Sequence, residues 1–212
     1  MVKYLIITHR EDVNVKCGNH GSPLHVASFK GNLDAARELL VHGADANIIN
    51  KYKRSPLCSA ASAYNGGHLE AMRLLLEHGA DVDAYYHSEG RLLHHASLGE
   101  RYDIVHLLLQ HNADVDARNL YNGTPLHFAS SMGQAMATQL LLEHGAAVNA
   151  QDDGGATPLY MASARGYVEV VKILLGHGAD LHIRGDRRMT PLQVAETDEI
   201  AQLLLEHGAG KE

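Results

Sequence analysis

Leu74-Leu75-Leu76-Glu77-His78-Gly79-Ala80-Asp81-Val82 decides how this chain reads, because its centre returns along the whole sequence. Gly43, Gly79, Gly145, Gly178 and Gly208 each stand in a His-Gly-Ala triplet behind a leucine-rich run, and His111-Asn112-Ala113 carries Asn in the same place. Successive members are 36, 33, 33, 33 and 30 residues apart. A second series, Pro23, Pro56, Leu92, Pro125, Pro158 and Pro191, is spaced by 33, 36, 33, 33 and 33. Self-similarity at a fixed period of this length means stacked supersecondary units. Both long intervals contain residues 56–79, so the second unit holds a three-residue insertion, placed at Tyr64-Asn65-Gly66 between its helices. The short last interval places a three-residue deletion after Ala195.

Each recurring element has a physical reason. Thr124 can cap a helix by accepting a backbone N–H two or three residues on, and Pro125 at the first helical position has no N–H to leave unsatisfied. Ala129, Ala162 and Ala195 suit a tight helix crossing that larger side chains would force apart. Val168, Val171, Leu174 and Leu175 return at helical spacing. Gly178 can end that second helix in the left-handed region, and Asn112 is the residue that best tolerates the same conformation. Tryptophan is absent and only 2 phenylalanines occur, so Leu, Ala, Val and Ile must supply the core.

Thr124-Pro125-Leu126-His127, Thr157-Pro158-Leu159-Tyr160 and the Leu74–Val82 stretch resemble the ankyrin-repeat family, in register over essentially the whole chain. The resemblance implies an all-α solenoid of stacked helix-turn-helix units with projecting β-hairpin loops. It divides a single domain, 1–212, into a partial repeat at 1–18, repeats at 19–51, 52–87, 88–120, 121–153 and 154–186, and a shortened repeat at 187–212. Repeat three departs from the pattern, with Arg91-Leu92 in place of Thr-Pro, and its first helix should be less well capped. Val2 to Asn14 resembles a second helix without its first, so the chain is expected to be a fragment of a longer array. Lys211-Glu212 reads as a true C-terminal end.

Chemistry finds little foothold in this pattern. Among the 16 histidines, the resemblance places His25, His94 and His127 at helix starts. His42, His78, His111, His144, His177 and His207 precede the terminal Gly or Asn, where a partly cationic ring suits a helix C-terminus. Spread one per repeat, they do not converge on one ion. Cys17 and Cys58 have no activating context. No nucleophile elbow or phosphate loop is present, and Asp152-Asp153-Gly154-Gly155 reads as a hairpin tip. The expectation is a non-enzyme without cofactor or metal. A net charge of −7 argues against nucleic acid as the main partner. No 18-residue apolar stretch supports a membrane span, and two thiols suit a reducing compartment, cytoplasm or nucleus.

What remains is surface. The resemblance implies docking of another protein or peptide on the concave side, by hairpin tips and the exposed side of each first helix, in an isolated domain that is monomeric. Register nominates Tyr52, Arg54, Tyr121, Arg187 and Met189 at tips, and Phe29, Lys30, Leu98, Met132 and Arg165 on first helices. Tyr, Arg and Met are enriched in interface cores. The function expected is a non-catalytic protein-binding module, the recognition part of a larger regulatory or signalling protein; the alternative is a structural spacer. The resemblance also nominates Asn14, Asn47 and Asn149 for the asparaginyl hydroxylation known in animal ankyrin proteins, against a plain role in hydrogen bonding within the hairpin.

Overall fold

The structure, a computed structural model, describes residues 12–15, 21–62, 68–87 and 90–210. The inserted Tyr64-Asn65-Gly66, Cys17, Lys211-Glu212 and most of the N-terminal partial repeat lie outside them. Two compact units divide the chain: Met1–Leu92 with Gln110–Ala113, and Leu93–Leu109 with Asp114–Glu212. The described helices come in pairs: α1 (Pro23–Phe29) with α2 (Leu33–Val41), α3 (Pro56–Ala61) with α4 (Leu69–Glu77), α5 (Leu92–Ala96) with α6 (Tyr102–Gln110), α7 (Pro125–Ser131) with α8 (Ala135–Glu143), and α9 (Pro158–Ala164) with α10 (Val168–Gly176); α11 (Asp198–Glu206) follows. Together with the match in repeat spacing they form the expected helix-turn-helix solenoid class.

Starts and stops follow from the residues named above. Ser55 and Thr157 accept the N–H of Cys58 and Tyr160 at 3.3 and 3.2 Å, while Ser22 and Thr124 cap through reciprocal bonds with His25 and His127. Each second helix ends into a residue with positive φ, from +79° at Gly178 to +100° at Gly208, and Asn112 takes that place at +61°. His42, His78, His144, His177 and His207 close the preceding turn, each Nδ1 lying 2.8 or 2.9 Å from the carbonyl four residues back. A neutral ring can donate from Nδ1 to that carbonyl, which also accepts the same histidine's backbone N–H at 3.2 Å and has a second lone pair to offer. The charge assumed from the sequence is therefore not needed.

Within the first unit α1 packs on α2 and α3, α3 on α4, and α2 on α4. Within the second, α7 packs on α8 and α9, α9 on α10, α8 on α10, and α10 on α11. Leu57, Ala60, Met72 and Leu75 are fully buried in one, and Leu126, Ala129, Leu141, Leu159, Ala162 and Leu174 in the other. Burial of a side chain as large as leucine contributes roughly 1.5–3 kcal/mol, so these stacked leucines carry most of each unit's cohesion.

Two places depart from the regular pattern. Where repeat three lacks Thr-Pro, β1 (Tyr85–His87) and β2 (Gly90–Arg91) pair antiparallel, and the N–H of Leu92 bonds to the Ala84 carbonyl at 3.1 Å. A strand ladder thus leads into α5, which is five residues long where α7 and α9 have seven. In the last repeat Pro191–Val194 makes turns instead of a helix. Thr190 still forms its cap, with its N–H on Gln193 Oε1 at 2.9 Å. The chain then departs at Glu196, whose N–H bonds to the Ser163 carbonyl at 3.0 Å. Losing three residues leaves too little chain to complete the first helix before α11 begins.

Candidate interaction surface

The projecting tips share one construction. Asn50, Asn119, Asp152 and Gly185 each donate their N–H to the carbonyl four residues on, at Arg54, Gly123, Ala156 and Met189, over 3.0 to 3.1 Å. At the first three, the side-chain oxygen also accepts two tip amides, as when Asn119 Oδ1 takes the N–H groups of Tyr121 and Gly123 at 3.0 and 2.8 Å. The residue three beyond the start adopts a left-handed backbone, with φ of +58° at Lys53, +60° at Asn122, +76° at Gly155 and +59° at Arg188. This closed loop lifts its second and third residues into solvent, leaving Tyr52 61% and Tyr121 68% exposed.

Repeats are tied to their neighbours behind the tips. Asn47 Oδ1 accepts the Asp81 N–H at 2.7 Å while its amide donates to the Gly79 carbonyl at 2.9 Å. Asn14 and Asn149 do the same toward Asp45 and Gly43, and toward Asp180 and Gly178. Hydrogen bonding within the hairpin, expected for these asparagines, is thus corrected: the partner is the next repeat, one period away and invisible to local turn rules. Asp116 stands at the same register and accepts the Ala147 N–H with both oxygens, at 3.0 and 3.3 Å. A carboxylate has no N–H to return.

Buried histidines make a second tie. His25, His94 and His127 are 1%, 1% and 2% exposed. Their Nε2 atoms lie 2.9, 3.2 and 3.0 Å from the carbonyls of Arg54, Gly123 and Ala156. Since His25 and His127 accept the N–H of Ser22 and Thr124 at Nδ1, the proton of each neutral ring sits on Nε2 and is donated across the repeat boundary. Burial holds the His127 pKa below its ordinary value, outweighing the bond to Ala156 and the nearby Asp152 that favour the charged form. Burial likewise pushes the Cys58 thiol up, with Sγ donating to the Tyr85 carbonyl at 3.4 Å. That keeps it protonated and a poor nucleophile.

The residues nominated from the sequence fall as follows. In the first unit, Phe29 ends α1 at 39% exposure and Lys30 follows it, exposed; Tyr52 is at the tip with Lys51 Nζ 4.7 Å from its ring centre. Arg54 is half-buried with its guanidinium 4.9 Å from the Tyr86 ring, so part of its attraction is spent inside the fold. In the second unit, Met132 and Arg165 follow α7 and α9 and are exposed, Arg187 is exposed at its tip, and Met189 is half-buried. Leu98, Tyr121 and Arg165 come together on one cleft of about 250 Å³, together with Phe128, Met161 and Asp152. Phe128 and Met161 were missed in the sequence although they stand 33 residues apart, each directly after its helix-start signature. Leu120, 65% exposed beside Tyr121, was missed as well. Among the described residues no three His, Cys, Asp or Glu side chains are grouped to hold a metal ion, and no helix is long and apolar enough to cross a membrane.

With the helix pairs, caps and tips established, comparison with known proteins places the chain. A family model for ankyrin repeats (3 copies) matches residues 1–86, 38–119, 93–185 and 153–212. The chain belongs to the ankyrin-repeat family. It is similar to the ankyrin repeat domain of Bcl-3, described as a unique member of the IkappaB protein family, with a TM-score of 0.85 and 28% identity over 97% of this chain and 90% of that one. The human ASB11 ankyrin repeat domain is similar too, with a TM-score of 0.81 and 28% identity over 98% and 92% of the two chains. No curated protein sequence matches it. Ankyrin-repeat domains are in general protein-interaction modules, and typically non-catalytic ones.

Proposed function

We propose that this chain is a non-catalytic module that binds another protein or peptide through its tips and the exposed ends of its first helices. In this reading it is the recognition part of a larger regulatory or signalling protein of the cytoplasm or nucleus, and monomeric when isolated. The observation that carries it is the repeated exposure of large side chains at tips and first-helix ends: Tyr52 and Tyr121, at one tip register, are 61% and 68% exposed, and Phe29 and Met132, at the ends of α1 and α7, are 39% and 43% exposed. Single exposed apolar residues are ordinary; their recurrence on tips and helix ends of both units favours an interface. The net charge of −7 favours a protein over a nucleic acid, and the protonated, buried Cys58 thiol suits a reducing compartment. The test uses a partner bound by the full chain. Replacing Tyr52 and Tyr121 together by Ala should weaken binding about thirtyfold, since aromatic anchors cost ~2 kcal/mol or more when truncated. Glu77→Ala, on the second-helix side, should leave it intact. The opposite pattern overturns the reading.

A further inference from the structure

The second unit's cleft differs in kind from the acidic chain around it. Leu98, Phe128 and Met161 are half-buried in it, and Tyr121 stands exposed at its edge. It holds two opposite charges that are not equally available. Asp152 spends Oδ1 on its own tip, accepting the N–H groups of Gly154 and Ala156, both at 2.9 Å. Arg165 is exposed, and its guanidinium makes no hydrogen bond or ion pair with the described residues. Arg118 adds a second positive charge nearby: it acts on His127, which lines the cleft, while its Nη1 bonds the carbonyls of Asn122 and Gln151 at 2.6 and 2.9 Å. The charge left unmet in the cleft is therefore positive, and its complement is an anion.

We propose that this cleft receives an extended peptide segment of a partner protein that presents one bulky apolar side chain with a carboxylate beside it. The inference rests on the protein-binding reading above and gives that partner its chemistry. An apolar side chain fits the Leu98, Phe128 and Met161 floor, and the carboxylate meets the planar, fork-shaped donors of Arg165. At about 250 Å³ the space lies below the roughly 300–1,000 Å³ of small-molecule clefts; it is the size of side chains, not of a cofactor. One free guanidinium does not make the multi-phosphate track that nucleic acid requires. The surrounding net charge of −7 repels an acidic segment elsewhere, so this local inversion also sets its register.

Panning a phage-displayed random-peptide library against the full chain, then measuring synthetic versions of the selected peptides by fluorescence anisotropy, tests this. Selected peptides should carry Asp or Glu next to Leu, Ile or Phe, and their binding should weaken as salt rises. Arg165→Glu and Tyr121→Ala should each cost tenfold or more in affinity with unchanged circular dichroism, whereas Glu143→Gln on α8 should cost nothing. Changing the peptide's acidic residue to Lys should recover binding to Arg165→Glu. Neutral or basic selected peptides, peptides indifferent to Arg165→Glu, or a library that yields no binder overturn the cleft assignment. Peptides indifferent to Arg165→Glu yet weakened by Tyr52→Ala sink the cleft while leaving the wider binding reading standing. Indifference of a folded partner to the Tyr52 and Tyr121 pair is the separate result that ends that reading.

Discussion

His127 gives the proton on its Nε2 to the carbonyl of Ala156 at 3.0 Å, 29 residues further along the chain. Its Nδ1 accepts the Thr124 N–H at 3.1 Å, which requires a neutral ring, and burial lowers the pKa of that ring from its ordinary 6.5. Between the lowered value and 6.5 the unfolded chain binds more protons than the native one, so stability is full above about pH 6.5 and falls as pH drops toward the folded pKa. His127→Gln should cost about 1–2 kcal/mol at pH 7.5, for lost bonds to buried groups. It should also show a smaller loss between pH 7.5 and 5 than the parent. Urea midpoints at the two pH values measure both effects; equal pH dependence in parent and variant would show that His127 titrates normally.

Asp116 and Asn47 occupy one register with different hydrogen-bonding capacity. Asp116→Asn should add a donor toward the Gly145 carbonyl, as Asn47 already has toward Gly79, and stabilise by about 0.5–1.5 kcal/mol. Asn47→Asp should destabilise by a similar amount. Thermal or urea unfolding of the pair decides it, and the same sign for both changes would contradict the assigned geometry.

Lys53 and Arg188 hold left-handed backbone at +58° and +59° where the equivalent tip residue, Gly155, is a glycine at +76°. Side chains in that region cost roughly 1–2 kcal/mol, partly offset when glycine loosens the unfolded chain. Lys53→Gly and Arg188→Gly should each raise stability by about 0.5 kcal/mol. Gly155→Ala should lower it, because a Cβ there would also come within 3.3 Å of the Arg184 carbonyl oxygen. Equilibrium denaturation curves for the three variants provide the check.

The five residues of α5 lack the Ser/Thr-Pro start that α9 has in Thr157-Pro158. A missing cap is worth about 1 kcal/mol, and in a stacked array the weakest unit opens first. Hydrogen exchange should be faster over Arg91 to Leu98 than over Thr157 to Ala164. Equal protection would mean that the β1–β2 ladder replaces the cap fully.

Much of this architecture was legible because its causes are local. Thr-Pro starts α7 and α9 through bonds within one turn, and a left-handed helix stop favours Gly or Asn, so the ends at Gly178 and Asn112 follow from residue type alone. The placing of Tyr52 and Tyr121 at tips came from repeat register; the Asn50 and Asn119 side chains that close those tips were not read from the sequence. Other features depend on the neighbour one period away. The side chain of Asn47 reaches Asp81, and nothing between them in the chain announces it. Phe128 and Met161 became cleft walls because their helices pack side by side, and half-buried positions of that kind blur the contrast between core and surface. Pro191 promised a helix that the deletion left no room to build.

Each tie between repeats joins residues about one period apart: His25 to Arg54 and His127 to Ala156 at 29 residues, Asn47 to Asp81 at 34. Sequence separation of contacts, more than chain length, governs how fast a topology assembles. A solenoid built from such ties keeps its contact order low in absolute terms however many copies are strung together, because no new copy must search beyond its predecessor. The same arithmetic makes the array editable. Excising or duplicating one complete period inside either unit returns every Asn and His to a partner at an unchanged spacing, whereas a cut out of phase orphans both ties at once.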